Sequence, residues 1–108
     1  MQIKIAQRHC EVPALVLERA EGEVERLQRF EPRLGNAELV FTEERHVRFV
    51  EGILSVDGFD AVVAKGEGAD FRGALDSLLT RLSKILRRHR ERVVDHRGPS
   101  HEELSESG

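Results

Sequence analysis

Arg81, Lys84, Arg88 and Arg92 follow one another at steps of three, four and four residues. On a helix that spacing puts all four cations on one stripe. At 1.5 Å per residue the stripe is about 16 Å long. Arg87 and Arg90 fall on the remaining outer surface of the same segment. Guanidinium groups present forked donors that match phosphate and carboxylate oxygens. Three readings fit such a stripe. It is a solvated helix face with cations favoured near the C-terminus, a nucleic-acid contact, or a dock for an acidic protein.

The rest of the chain sharpens the contrast. From Asp70 to Arg97 there are eight Arg or Lys against four Asp or Glu, and from Met1 to Ala69 nine against thirteen. Three further acids after Arg97 bring the formal net charge to -3. A net charge near zero thus hides a charge map, and a single-signed face calls for a partner of opposite sign. Arg19, Arg26, Arg29 and Arg33 form a second group, with Glu18, Glu21, Glu23, Glu25 and Glu31 among them at spacings that allow pairing. Arg8, with His9 beside it, is a further candidate.

Other chemistry finds little support. No phosphate loop, dinucleotide fingerprint or zinc spacing is present. His9 and Cys10 are adjacent, but no further ligand pair stands out, so no metal is expected. Ser55, Ser77 and Ser83 lack a base–carboxylate context. His89 reads as a half-buried packing residue, and Asp70 and Asp76 as a helix cap and a hydrogen-bonding group. Cys10 is the sole cysteine, which excludes an internal disulfide and suggests a semi-buried thiol. An enzyme is not expected, nor a cofactor or a small-molecule substrate.

The chain of 108 residues suits one domain with one core. Nothing approaches the ~20 apolar residues of a membrane span. Residues 2–8, opening with Gln2-Ile3-Lys4-Ile5, alternate as a first strand and lack the apolar run of a signal peptide, so a cytoplasmic location is expected. Pro13 opens a helix that runs to about Phe30, with Val16, Ala20, Val24 and Leu27 on one face. Residues 37–42 alternate as a second strand, followed by a charged turn at 43–46. A third strand spans 47–56. Asp57-Gly58 predicts a type I′ hairpin, and Phe59–Lys65 a fourth strand, with Gly66, Gly68 and Ala69 as a flexible connector. Asp70 then caps a final helix of about 25 residues, lined by Phe71, Leu75, Leu78, Leu82, Ile85, Leu86 and Val93.

This order predicts an α+β fold: a two-layer β-α-β-β-β-α domain with a four-stranded sheet and two helices packed on one face. The domain should occupy residues 1–97, and the polar, acidic residues 98–108 should form a disordered tail.

The ordered residues resemble the ribosome hibernation-promoting factors, also described as the ribosome-associated inhibitor and sigma-fifty-four modulation family. The resemblance covers residues 1 to about 96. It starts with Met1-Gln2-Ile3-Lys4-Ile5 and Arg8-His9, and continues through Glu11-Val12, Leu15 and Arg26-Leu27-Gln28-Arg29-Phe30. Its sharpest part is Asp70-Phe71-Arg72-Gly73-Ala74-Leu75-Asp76, similar to the family's Asp-x-Tyr-x-Ala-Ile-Asp, then Arg81-Leu82, Lys84 and Arg88-His89-Arg90. Phe71 replaces the usual Tyr, and Ala6-Gln7 replaces a common Gly.

The resemblance implies a fold with one sheet and two helices on one face. It implies binding to the small ribosomal subunit, in the channel of messenger and transfer RNA, and arrest of translation in stationary phase or stress. It implies no catalysis and no cofactor. Carried over by residue, it implies ribosomal RNA contacts at Arg81, Lys84, Arg87, Arg88, Arg90 and Arg92, with Arg8, Arg26 and Arg29 secondary. The match is to the short class, which lacks a ribosome-pairing domain. A protein-interaction regulator that keeps the fold without the ribosome, and a double-stranded RNA-binding module, remain as alternatives.

Overall fold

The computed structural model describes the backbone of residues 1–97 and the side chains of residues 1–91. Its elements run β1 (Gln2–Arg8), α1 (Ala14–Phe30), β2 (Leu34–Glu44), β3 (Val47–Val56), β4 (Val62–Gly68) and α2 (Phe71–Arg97). The four strands form one sheet in the order β1-β2-β3-β4. β1 runs parallel to β2, and β2, β3 and β4 form an antiparallel meander. A parallel pair needs a crossover, and α1 supplies it. The expected α+β layout is therefore the one observed.

The inward-facing residues of the sheet come in rows. Ile5, Leu39, Gly52 and Ala64 lie side by side in register, as do Ile3, Ala37, Leu54 and Val62. From α1 they meet Val16, Ala20, Val24 and Leu27, the four positions that share one helical face. From α2 they meet Phe71, Ala74, Leu75, Leu78, Leu82 and Leu86. Phe41 and Phe71 pack edge to face with centroids 5.8 Å apart, a favoured aromatic geometry. The opposite face of the sheet is mostly polar or half-buried, with Val63 exposed. On that face Val40 is nevertheless buried, flanked in register by Ala6 and Glu51.

Helix boundaries follow local chemistry. Pro13 stands at the N-cap of α1, where a missing N–H is harmless. The Glu31 N–H closes the other end on the Leu27 carbonyl, and Pro32 prevents continuation. Asp70 accepts a 2.7 Å hydrogen bond from the Gly73 N–H, which is the expected N-cap of α2.

Three details of the strand pattern differ from expectation. β2 is longer than residues 37–42: it includes Gly35, Asn36 and Glu43-Glu44, so the tight turn reduces to Arg45-His46 with Arg45 at φ 58°. After β3 the turn is closed by the Phe59 N–H on the Val56 carbonyl. Gly58 has a φ of 87°, while Asp57 is not among the residues with positive φ. Positive φ at the third turn position alone is the type II pattern rather than I′. Phe59 to Ala61 then remain in the loop, and β4 starts three residues later than expected.

Consequently Gly66 and Gly68 belong to β4 rather than to a flexible connector. A Cβ on Gly66 would collide with the Ala74 carbonyl and the Leu78 backbone. A Cβ on Gly68 would sit 2.7 Å from the Ala74 nitrogen. The two glycines let α2 lie directly against the strand.

Candidate nucleic-acid interface

The inward face of α2 fixes where its charges point. With Phe71, Leu78, Leu82 and Leu86 buried, Arg81, Lys84, Arg87 and Arg88 are exposed. No salt bridge among the described residues engages any of these four. At about 100° per residue, Arg81 and Arg88 fall on one flank of α2, Lys84 beside them, and Arg87 on the outward crest. Arg92 lies in α2, but its side chain is outside the described residues.

Two contacts set α1 beside α2. Arg19 binds Asp76 at 3.0 Å. Farther along both helices, Arg90 donates to the Phe30 carbonyl at 3.2 Å, with its guanidinium 5.5 Å from the Phe30 ring centroid. Both contacts advance toward the C-terminus on each helix, so α1 and α2 lie parallel. They also show which flank of α2 faces α1. It is the flank of Asp76 and Arg90, and Arg81 and Arg88 lie on the other flank, toward β4.

The same wheel argument orders α1. Arg19 and Arg26 share the flank turned toward α2, and Arg29 sits on the outward crest next to it. Glu21 and Glu25 occupy the flank turned away from α2, Glu18 lies beside Arg29 on the outward crest, and Glu23 lies on the Arg26 side. Arg26 and Arg29 are both exposed; Arg26 has only a loose 3.7 Å pair with Glu23. Exposed pairs of that kind contribute little. Counting along from Arg19–Asp76, Arg26 stands beside Ser83 and Arg87. A band of cations thus crosses the outer helical layer from Arg29 and Arg26 through Arg87 and Lys84 to Arg88 and Arg81.

Not every expected contact residue is free to join it. Arg90 is exposed but tied to Phe30, so it fastens the helices together. Arg8 ends β1 at an exposed sheet corner, away from the helical band. Arg19 and Arg33 are also engaged. Arg33 donates to Glu31 through its backbone N–H at 2.9 Å, its Nε at 3.0 Å and its Nη2 at 3.2 Å. These bonds hold the buried Glu31 carboxyl below its usual pKa, against the opposing effect of burial. Arg33 also lies 5.0 Å above the Phe59 ring, whose other face stacks on His89 at 4.5 Å. His89 is half-buried in that stack, the packing role expected of it.

Cys10 is half-buried, and desolvation raises its pKa, which favours the protonated thiol. Among the described residues no group of three His, Cys, Asp or Glu side chains is placed to hold a metal ion. No described helix is long and apolar enough to cross a membrane.

A further feature was not anticipated. Leu15, Glu18, Arg19, Gly22, Glu23, Arg26 and Arg29 line a shallow depression of about 410 Å³ on the outer face of α1. Leu15 is 77% exposed within it. The seven-residue steps from Leu15 to Gly22 to Arg29 carry the signal in the sequence, once the inward face is known.

The family described as Sigma 54 modulation protein / S30EA ribosomal protein matches residues 3–94. A ribosome hibernation promoting factor of Azotobacter vinelandii is 28% identical over 95 residues, covering 88% of each chain. One from Klebsiella oxytoca is 24% identical over 96 residues, covering 89% of this chain and all of the relative. In fold, a ribosomal subunit interface protein from Coxiella burnetii superposes with a TM-score of 0.78 at 19% identity, over 84% of this chain and 99% of the other. The N-terminal domain of Protein Y from Thermus thermophilus gives 0.72 at 24% identity, over 82% and 99%. With a match that spans all six structural elements, the chain belongs to the Sigma 54 modulation protein / S30EA ribosomal protein family.

Proposed function

We propose that this protein inactivates translation under stress or in stationary phase by occupying the messenger and transfer RNA channel of the small ribosomal subunit. The observation that carries the proposal is the set of exposed cations Arg81, Lys84, Arg87 and Arg88 on α2, which no salt bridge among the described residues engages. Relatives named as ribosome hibernation promoting factors support the target. The mechanism is occupancy. Arg81, Lys84, Arg87, Arg88 and Arg92 on α2, with Arg26 and Arg29 on α1, neutralise ribosomal RNA phosphates. The folded body then excludes the natural ligands of the channel. A cytoplasmic site of action follows from that target. The Glu21–Glu25 flank orients the body, because it would be repelled wherever the cations are attracted.

Co-sedimentation with small subunits tests this. Contacts that release counterions weaken steeply with salt, so pelleting at ~50 mM salt should be largely lost at ~300 mM. Replacing Arg81, Lys84, Arg88 and Arg92 by Glu should abolish pelleting while circular dichroism shows an intact fold. Absence of pelleting at low salt, or pelleting unaffected by the four replacements, defeats the proposal. The acidic flank favours one alternative, a protein-interaction regulator. It would be recognised by a single protein partner retained by a chain that never sediments with ribosomes.

A further inference from the structure

β4 is an edge of the sheet, so half of its backbone N–H and C=O groups have no neighbouring strand. Folds commonly blunt such an edge with a proline, a bulge or a lysine. β4 has no proline, and its seven residues stay in continuous register with β3, without a bulge. Lys65 leans back over the Phe49 ring on β3, 4.6 Å from its centroid, so it does not guard the edge.

α2 runs above β4 in the opposite direction. Gly68 and Gly66 meet Gly73, Ala74 and Leu78, while Val62 and Val63 share a groove with Ile85 and His89. The groove has a volume of about 740 Å³, and the loop 58–61 completes it. Its apolar walls are Phe59, Val62, Val63 and Ile85, with Val63 54% exposed, and Asp60 is its one acid. Arg81 and Arg88 stand one turn before and one turn after Ile85, on the flank of α2 turned toward this edge. Both are exposed, and no salt bridge among the described residues engages either. On the open face of the sheet the edge is mixed, with Val63, Lys65 and Glu67 exposed.

We infer that the β4 edge docks one extended segment of an acidic partner protein, which pairs with it as a fifth strand. Main-chain hydrogen bonds along an edge call for a polypeptide, and a sugar–phosphate chain cannot continue the ladder. Side chains of the added strand alternate between the two faces. Those turned toward α2 are a carboxylate at Arg81, an apolar residue in the groove at Ile85 and a carboxylate at Arg88. Asp60 repels an acid from the groove itself, which fixes the register. A symmetric pairing of two β4 edges would set Arg81 and Arg88 of both copies against each other, so charge favours a foreign strand. The surface does not depend on the ribosome-binding reading. Because it uses Arg81 and Arg88, the partner strand and an RNA strand would exclude one another.

The test uses the full chain without ribosomes and a fluorescein-labelled peptide, Thr-Glu-Thr-Val-Thr-Glu-Thr, followed by fluorescence anisotropy. The peptide should bind saturably. Amide hydrogen exchange within Val62–Gly68 should slow on binding, since edge amides become bonded. Replacing Arg81 and Arg88 by Gln should weaken binding about tenfold, the sum of two exposed ion pairs. N-methylation of the peptide backbone removes its donors but keeps its charge, and should abolish binding. Equal binding of the methylated peptide would leave charge attraction alone and overturns the strand. Unchanged affinity of the Arg81→Gln, Arg88→Gln chain, or no saturable binding, overturns it as well. Protection of Val62–Gly68 that grows with protein concentration in the peptide-free chain would give the edge to a second copy. Equal protection by a single-stranded RNA of the same charge would give it to nucleic acid, and either result also overturns the inference.

Discussion

Glu31 shows how one side chain can acquire a role that its sequence position conceals. It follows α1 directly and looks like one of five glutamates in a charged helix end. In the fold it is 1% exposed and takes three donors from Arg33. Because the folded pKa is depressed, its stabilisation is fully present above the ordinary carboxylate pKa and is lost as pH falls through the folded value. Glu31→Gln should therefore lower the unfolding midpoint at pH 7. The difference from the parent should shrink as pH drops below about 4, the ordinary carboxylate range. A deficit that stays constant across that range would assign the loss to packing instead. Thermal unfolding at several pH values reads this directly. The exposed stripe at Arg81, Lys84 and Arg88 was legible from spacing, because helical periodicity alone places it. The partners of Arg19 and Arg90 were not. Each reaches the other helix, and spacing within one element carries no information about its neighbours.

Among the elements, both helices, β1 and β3 could be read nearly to the residue, since each combines a clear period with a capping or turn signal. β4 could not. Its second half, Lys65-Gly66-Glu67-Gly68, has the composition of a loop. The strand survives there because α2 needs the room: only a hydrogen lies between Gly66 and the Ala74–Leu78 backbone. Gly66→Ala would force the helix off the sheet, since backbone cannot move aside as a side-chain tip can. Overpacking of this kind typically costs about 1–3 kcal/mol, and a clash with backbone belongs at the upper end. Urea denaturation should thus show a clear loss of stability for Gly66→Ala. Gly22→Ala, with open space around it, should show a gain of up to about 1 kcal/mol. Equal behaviour of the two would mean that α2 does not rest on β4 in the way described. The sorting of α1 into an arginine flank and a glutamate flank belongs to this scale too. Glu21 and Glu25 look like dilution of the arginines in sequence, and only knowledge of the buried face separates them.

Across the whole molecule, residues 1–97 carry seventeen cations and seventeen acids, so the folded elements are balanced before the last residues are counted. The deficit of -3 comes from Glu102, Glu103 and Glu106, which lie outside the described residues. RNA binding depends on local cations at short range and on net charge at longer range, the latter screened beyond ~8 Å at physiological salt. A chain ending at Arg97 would change net charge from -3 to zero without touching the cation band. Its affinity for small subunits should rise several-fold at ~50 mM salt and match that of the full chain at ~300 mM, because screening removes the long-range part first. Tightening that persists at high salt would require short-range competition by the acidic residues for Arg81, Lys84 or Arg88. Equal affinity at both salts would show that the band alone sets binding. Then the -3 total carries no weight in its energetics.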